Sequence, residues 1–238
     1  MKIQVIGSGN LWGEYNSASY LIDDNILVDI PNGTCKALNR QGISYENIKN
    51  VLITHFHGDH YFDMPFFILF KKKIDCPDIN IYCAINGEKK IRRLYKLAFP
   101  HSYHRIFKTM NVSFFSKEFF SINDKYEIER VLVDHGSFKP AYGYIIKYDN
   151  KKIGFTGDTT LCDGLEYMMR NCDYVFGECT FKKATAKHMG ADLLEIIIKK
   201  YPNCKYVASH MADDTRKYLK KLKLKNVIIP KDGEIFEI

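Results

Sequence analysis

Thr54-His55-Phe56-His57-Gly58-Asp59-His60 places three imidazoles and a carboxylate directly after the apolar run Val51-Leu52-Ile53. The run predicts a buried strand, so the polar residues lie where that strand ends and a loop begins. Imidazole and carboxylate groups are the usual nitrogen and oxygen ligands of a divalent transition metal. Gly58 lets the backbone bend so that the last two side chains point back into the same cavity. Because three of the chain's eight histidines fall here, the pattern favours a metal site over an incidental polar loop.

The motif H-x-H-x-D-H at a strand end resembles the metal motif of the metallo-β-lactamase superfamily, a large group of mostly hydrolytic enzymes. The resemblance implies a four-layered αββα sandwich. Apolar strands that alternate with helical patterns along the chain independently predict an α/β fold, with Val227-Ile228-Ile229 as its last strand. A chain of 238 residues can bury a full core in one unit, so we expect a single metallo-β-lactamase-like domain over residues 1–238.

The composition is that of a globular protein, with 46% hydrophobic and 26% charged residues. The apolar part of Met1–Gly7 is too short for a signal peptide, and no run approaches membrane-spanning length, so a cytoplasmic protein without a membrane partner is expected. Seven cysteines without a C-x-x-C pair favour reduced, structural thiols. The formal net charge of +7 suits an anionic substrate but does not require one.

Further metal-type side chains end other apolar strands. Each follows or closes a predicted strand, and rigid strands hold ligands at one rim of a sheet. The residues with this placement are His135, Asp158, Glu178 and His210. Asp29 also ends a strand and resembles an early superfamily Asp that orients the metal loop through hydrogen bonds. Taken alone, Asp29 and Asp158 also fit ordinary turn positions.

The superfamily resemblance divides these ligands between two ions, taken as Zn²⁺ with Mn²⁺ or iron as alternatives. It implies one ion at His55, His57 and His135, a second at Asp59, His60 and His210, and Asp158 as the bridge between them. Such a pair activates a bridging hydroxide, so the implied reaction class is metal-assisted hydrolysis.

Within the superfamily, ribonuclease Z and its phosphodiesterase relatives are the most similar branch. The similarity lies in His135-Gly136 followed by Tyr142-Gly143-Tyr144, and in Glu178 followed ten residues later by His188. The resemblance makes His188 the catalytic group on the phosphate side, oriented by Glu178, with Asp59 as a proton acceptor. The alternative is that His188 is an exposed residue without a catalytic role and Glu178 a ligand to nothing.

The chain departs from ribonuclease Z in one segment. That family carries a tRNA-binding arm between the third-motif histidine and the bridging aspartate, whereas here a hairpin alone fills the interval from His135 to Asp158. Authentic tRNA processing is therefore in doubt. We expect a phosphodiesterase for a nucleic acid, including RNA, or for a small phosphodiester; relatives suggest a homodimer. The alternative is a carboxyl-ester, lactone or thioester hydrolase on the same fold, which would not need the Glu178–His188 pair.

Overall fold

The computed structural model describes residues 1–238. Its strands are β1 (Lys2–Gly7), β2 (Ser19–Ile22), β3 (Ile26–Val28), β4 (Asn50–Leu52), β5 (Asp78–Tyr82), β6 (Asn111–Phe115), β7 (Phe119–Ile122), β8 (Tyr126–Val133), β9 (Ala141–Tyr148), β10 (Lys151–Phe155), β11 (Tyr174–Glu178), β12 (Lys205–Ser209), β13 (Val227–Ile228) and β14 (Ile235–Glu237). Its helices are α1 (Thr34–Arg40), α2 (Gly58–Tyr61), α3 (Met64–Lys73), α4 (Gly87–Ala98), α5 (Tyr103–Thr109), α6 (Asp163–Asn171), α7 (Ala191–Lys200) and α8 (Asp213–Leu222).

The strands form two seven-stranded mixed sheets. The first has the order β14-β1-β2-β3-β4-β5-β6 and the second β13-β12-β11-β10-β9-β8-β7. In the first, the pairings from β14 to β3 are antiparallel and those from β3 to β6 are parallel. In the second, the pairings from β7 to β10 are antiparallel and those from β10 to β13 are parallel. The two sheets therefore share one pairing pattern.

Three apolar layers hold the molecule together. A central layer between the sheets joins side chains of both, such as Ile3 and Val5 with Phe155 and Phe176. A second layer lies between the first sheet and helices α1, α3, α4 and α5, and a third between the second sheet and helices α6 to α8. This order of layers is the predicted αββα sandwich, which the structure confirms.

The end of the chain differs from the sequence expectation. Val227 and Ile228 form β13, but they are not the last strand, because β14 follows and pairs with β1 in the other sheet. Pairing over that sequence distance leaves no local signal. No helix has the length and apolar character needed to cross a bilayer, and the longest, α4, has 12 residues.

Candidate metal centre

The site lies where strand ends from both sheets meet. The loop of residues 55–60 follows β4, and Asp29 follows the neighbouring β3. Asp158 and His210 follow β10 and β12 of the second sheet. Because these strands are parallel to their neighbours, their carboxyl ends come to one edge, and most of the ligand-type side chains there are buried.

The first cluster contains His55, His57, His135 and Asp158, whose ligand atoms all lie within 4.8 Å of one another. His57 Nδ1 is 3.1 Å from the Nε2 atoms of both His55 and His135. Asp158 Oδ2 lies 3.8 Å from each of those Nε2 atoms. Nitrogen lone pairs that converge at this spacing repel unless a cation or proton lies between them, so the arrangement fits a metal ion.

The second cluster contains Asp59, His60 and His210, with Asp158 beside them. Asp158 Oδ1 is 3.2 Å from His60 Nε2 and 3.4 Å from His210 Nε2. Asp59 Oδ2 is 3.2 Å from the same His210 atom. His60 Nε2 and Asp158 Oδ1 are buried without a hydrogen-bond partner, which is costly unless a ligand fills the space between them.

Asp158 thus directs one carboxylate oxygen to each cluster. Burial opposes its ionisation, but the imidazoles of His210 and His60 hold the pKa of Asp158 well below its usual range. Burial lowers the pKa of His55 well below its ordinary value, which keeps that imidazole neutral, as a metal ligand must be. The donor set and its protonation therefore fit two divalent ions that share Asp158.

Hydrogen bonds behind the first two ligands fix their orientation. Thr54 donates from its amide N to Asp29 Oδ1 at 2.8 Å and from its hydroxyl to Asp29 Oδ2 at 2.7 Å. His60 Nδ1 donates to the same Oδ2 at 2.7 Å, and His55 Nδ1 donates to the Thr54 hydroxyl at 3.1 Å. Each ring thereby presents Nε2 to the cluster. These are the contacts that the resemblance implied for Asp29.

His135 and His210 are oriented in the same way by the second half of the chain. His135 Nδ1 donates to the carbonyl of Lys187 at 2.9 Å. His210 Nδ1 donates to the hydroxyl of Thr180 at 2.9 Å, and that hydroxyl donates in turn to Glu178 Oε1 at 2.6 Å. Thr180 therefore connects a predicted metal ligand to the predicted catalytic pair.

Glu178 and His188 are in direct contact, as a hydrogen bond joins His188 Nδ1 to Glu178 Oε1. The other carboxylate oxygen accepts the amides of Thr159 and Met189 at 2.7 and 3.3 Å. Asp158, Glu178, His188 and His210 also lie close enough for a metal. Glu178 is a poor ligand for it, however, because hydrogen bonds already occupy both of its oxygens.

His188 lies at the edge of the centre and is partly open to solvent. Its side chain is 22% exposed, whereas that of Glu178 is 0% exposed. Nδ1 is 3.9 Å from Asp158 Oδ2, and the ring centroid is 4.9 Å from that of His135. Burial opposes protonation, but the Glu178 carboxylate outweighs it and raises the pKa of His188. The arrangement leaves His188 Nε2 as the nitrogen available to a bound molecule.

Sequence reasoning missed three parts of this centre. Thr54 was read only as part of the motif, and Thr180 and Phe138 were given no role. The Phe138 ring lies over His57 with centroids 4.0 Å apart and is 5.3 Å from His55, so it shields the first cluster from water. A Ser, Thr or aromatic residue near a ligand motif is too common to serve as a signal in one sequence.

The sequence model of the anti-Pycsar protein Apyc1 matches residues 1–230. The chain belongs to the Apyc1 family. Among curated proteins, this Apyc1-family chain is 31% identical to ribonuclease Z of Picrophilus torridus over 163 residues, which is 64% of the chain and 50% of the relative. The chain spans about half the length of the curated relatives it matches.

Solved structures show the same fold over the whole chain. Human tRNase Z, short form, superposes on 100% of the Apyc1-family chain and 99% of its own, with a TM-score of 0.77 and 16% identity. A diphosphatase of the PhnP family gives a TM-score of 0.77 and 18% identity over 100% of this chain and 97% of its own. These similarities confirm the metallo-β-lactamase fold and, with the curated relatives, its ribonuclease Z-like branch.

Proposed function

We propose that this protein is a metal-dependent phosphodiesterase, working as one metallo-β-lactamase-like domain over residues 1–238. The observation that carries the proposal is the Glu178–His188 pair, hydrogen-bonded beside two ligand clusters that share Asp158. A hydrolase of lactams or lactones needs the clusters but has no use for an imidazolium held by a buried carboxylate. A phosphate ester has negative oxygens that such a cation can bind.

Two ions, proposed to be Zn²⁺ with Mn²⁺ or iron as alternatives, fit the ligand sets described above. The first would be held by His55, His57, His135 and Asp158, and the second by Asp59, His60, His210 and Asp158. When bound, such a pair supplies an activated water near neutral pH and neutralises the charge of a phosphate.

The protein's own side chains bind the substrate and move protons. His188, protonated and held through Nδ1 by Glu178, places its Nε2 proton toward a phosphate oxygen or the leaving oxygen. Donation of that proton prevents the departing alkoxide from carrying full charge. Asp59 accepts a proton on the opposite side of the bond that breaks. Burial opposes its ionisation, but the hydrogen bond from His210 outweighs it and lowers the pKa of Asp59.

We propose a small phosphodiester as the substrate class, with RNA as the alternative. The interval between the third-motif histidine and the bridging aspartate contains only the hairpin of β9 and β10 and its flanking turns. A hairpin that pairs within the sheet over its full length offers no protruding surface for a folded RNA. Lys187, whose carbonyl holds His135, lies near enough to add a phosphate contact.

The test is hydrolysis of bis(p-nitrophenyl) phosphate by zinc- and manganese-loaded protein, beside a panel of cyclic nucleotides, RNA, lactones and thioesters. His188→Ala should lower kcat for phosphodiesters by about 10²- to 10⁴-fold, because it removes a proton donor. His104→Ala, an exposed histidine on α5, is the matched control and should leave the rate unchanged. Metal content of both variants should equal that of the wild type.

Turnover of lactones or thioesters alone, unaffected by His188→Ala, would reject the phosphodiesterase and leave the ester-hydrolase alternative. A cytoplasmic location and a homodimer are further proposals. The first is supported by seven cysteines of the reduced, unpaired kind that a reducing compartment maintains. The second rests on the resemblance to ribonuclease Z relatives, and sedimentation of the purified protein tests it.

A further inference from the structure

A cavity of about 650 Å³ lies on the helical face of the first sheet, between α1, α3 and α5. Its volume is within the range of sites that hold small organic molecules. It contains no residue of the metal centre. The cavity is lined by Cys35, Lys36, Asn39, Tyr45, Phe66, Leu69, Phe70, Lys72, Lys73, Arg105 and Ile106.

The floor of this cavity is apolar. Tyr45 and Ile106 are buried beneath it, and Phe66 on its wall is 52% exposed. The rings of Tyr45 and Phe70 pack with centroids 4.5 Å apart. The Tyr45 hydroxyl already donates to the carbonyl of Cys35 at 2.5 Å. The floor therefore offers hydrocarbon and aromatic surface and few free polar groups.

The rim is cationic and lacks counter-charges. Four of the lining residues carry a positive charge, and none is an aspartate or glutamate. The basic residues of the protein that form ion pairs with carboxylates are elsewhere, for example Lys2, Arg92 and Lys200. Like charges that cluster without partners are unfavourable, and an anion relieves the repulsion. The four are Lys36, Lys72, Lys73 and Arg105.

We propose that this cavity binds a free anionic amphiphile, a molecule with a hydrocarbon body and a carboxylate or phosphate head, such as a medium- or long-chain alkanoate or alkyl phosphate. The body would lie on Phe66, Leu69 and Phe70, and the head would meet the cations of the rim. This site is separate from the phosphodiesterase function proposed above and does not depend on it.

Two other occupants fit the chemistry less well. A nucleobase has polar edges that need partners, and Asn39 alone among the lining side chains offers a neutral amide. A second copy of the chain in a two-fold contact would bring the same patch against itself, so that four cations would face four cations. A hydrocarbon with one anionic end matches both the floor and the rim.

The experiment is calorimetric titration of the full-length protein with dodecanoate and dodecyl phosphate below their micelle concentrations. Dodecyltrimethylammonium serves as the probe of opposite charge and the same chain length. We expect one saturable site for each anion and at least about tenfold weaker binding of the cation, because charge complementarity sets the preference.

Two double variants with the same change in net charge separate the cavity from the general surface. Lys72→Glu with Arg105→Glu reverses two rim charges and should weaken dodecanoate binding at least about tenfold. Lys89→Glu with Arg93→Glu makes the same change on α4, outside the cavity, and should leave the affinity unchanged. Phe66→Ala should weaken both anions, since it removes apolar contact from an exposed position.

Three results would overturn the proposal. One is equal loss of binding in the two charge-reversal variants, and another is equal affinity for the cationic amphiphile. The third is a stable dimer in sedimentation that Phe66→Glu dissociates, which would make this surface an interface between copies. Vesicles of anionic phospholipid are included as well, because binding to vesicles without binding to the free anions would assign the patch to a membrane surface instead.

Discussion

The two halves of the chain build sheets with the same pairing pattern but supply the metal centre in different ways. The first half concentrates its ligands in one loop, residues 55–60, with Asp29 behind it. The second half provides single side chains after separate strands, His135, Asp158, Glu178 and His210. One scaffold thus accommodates a compact ligand cluster and a dispersed one.

The hydrogen bonds behind the ligands are alike in the two halves. In each, a threonine hydroxyl donates to a buried carboxylate and accepts from a ligand histidine: Thr54 between Asp29 and His55, and Thr180 between Glu178 and His210. The carboxylates differ in their remaining partner. Asp29 holds a buried histidine that faces the second cluster, whereas Glu178 holds the partly exposed His188. The second half has turned the same arrangement toward a bound molecule.

The largest effect is expected at the residue where the halves meet. Asp158→Asn keeps the shape but removes the charge that both clusters share, so the rate should fall about 10³-fold or more. Metal content measured by inductively coupled plasma mass spectrometry should fall as well. Full metal content together with full activity would show that the two clusters do not depend on a shared carboxylate.

A smaller effect should distinguish the two threonines. Thr54→Val and Thr180→Val each remove one orienting hydroxyl and should weaken metal affinity about 10- to 100-fold. Excess metal should restore the activity of Thr54→Val. It should not restore that of Thr180→Val, because Glu178 also loses a hydrogen bond and holds His188 less firmly. Metal titrations followed by phosphodiesterase assays measure this, and complete rescue of both variants would mean that Thr180 has no catalytic influence.

The strand that completes the first sheet gives the next prediction. Phe236 in β14 packs against Phe176 of the second sheet, with ring centroids 5.3 Å apart. Phe236→Ala should lower the free energy of unfolding by about 1–3 kcal/mol, less than for a fully buried ring because Phe236 is half-buried. Ile235→Ala, at a side chain that is 49% exposed, is the control and should change it by less than about 0.5 kcal/mol. Urea unfolding of both variants measures the difference.

The smallest effect concerns a link between the halves far from the metal centre. Asp23, between β2 and β3, accepts hydrogen bonds from the Tyr126 hydroxyl and from Lys125 of the second half. Burial opposes its ionisation, but these bonds outweigh it and lower the pKa of Asp23. Its contribution should therefore be present above about pH 4 and be lost as the pH falls through the lowered folded-state pKa.

Comparison of wild type with Asp23→Asn tests that link. The wild type should be more stable at pH 6 by no more than about 1 kcal/mol, because solvent screens this partly exposed group. The difference should shrink below pH 4. Unfolding midpoints in urea at a series of pH values measure it, and a gap that does not change with pH would assign the effect to packing instead.

The sequence predicted the αββα fold and the first ligand loop because both depend on local patterns. Alternating apolar strands and helices are visible in any window, and His55 to His60 are adjacent in the chain. The dispersed residues His135, Asp158 and His210 could be assigned only through the resemblance, since each is an ordinary strand-end residue when viewed alone. Their roles stay predictions until the variants are measured.

Features that depend on distant pairing could not be predicted. The part played by Thr180 exists only because β11 and β12 are parallel neighbours that bring residue 178 beside residue 209. The three-residue β14 has no periodicity of its own and is a strand because β1 offers an open edge. The cationic cavity combines side chains from three helices, so no single segment of sequence contains it.

The pairing of β14 with β1 has a further consequence for the order in which the chain can be written. Ile238 donates its amide to the carbonyl of Met1 at 2.9 Å, so the two ends of the described chain are adjacent. Residues 116–118, between β6 and β7, are exposed and join the two sheets. A circular permutant that closes the ends with a short linker and opens at 116–118 would place β14 directly before β1. Each sheet would then be encoded by one uninterrupted stretch, and two genes for separate halves would become a practical way to study their assembly.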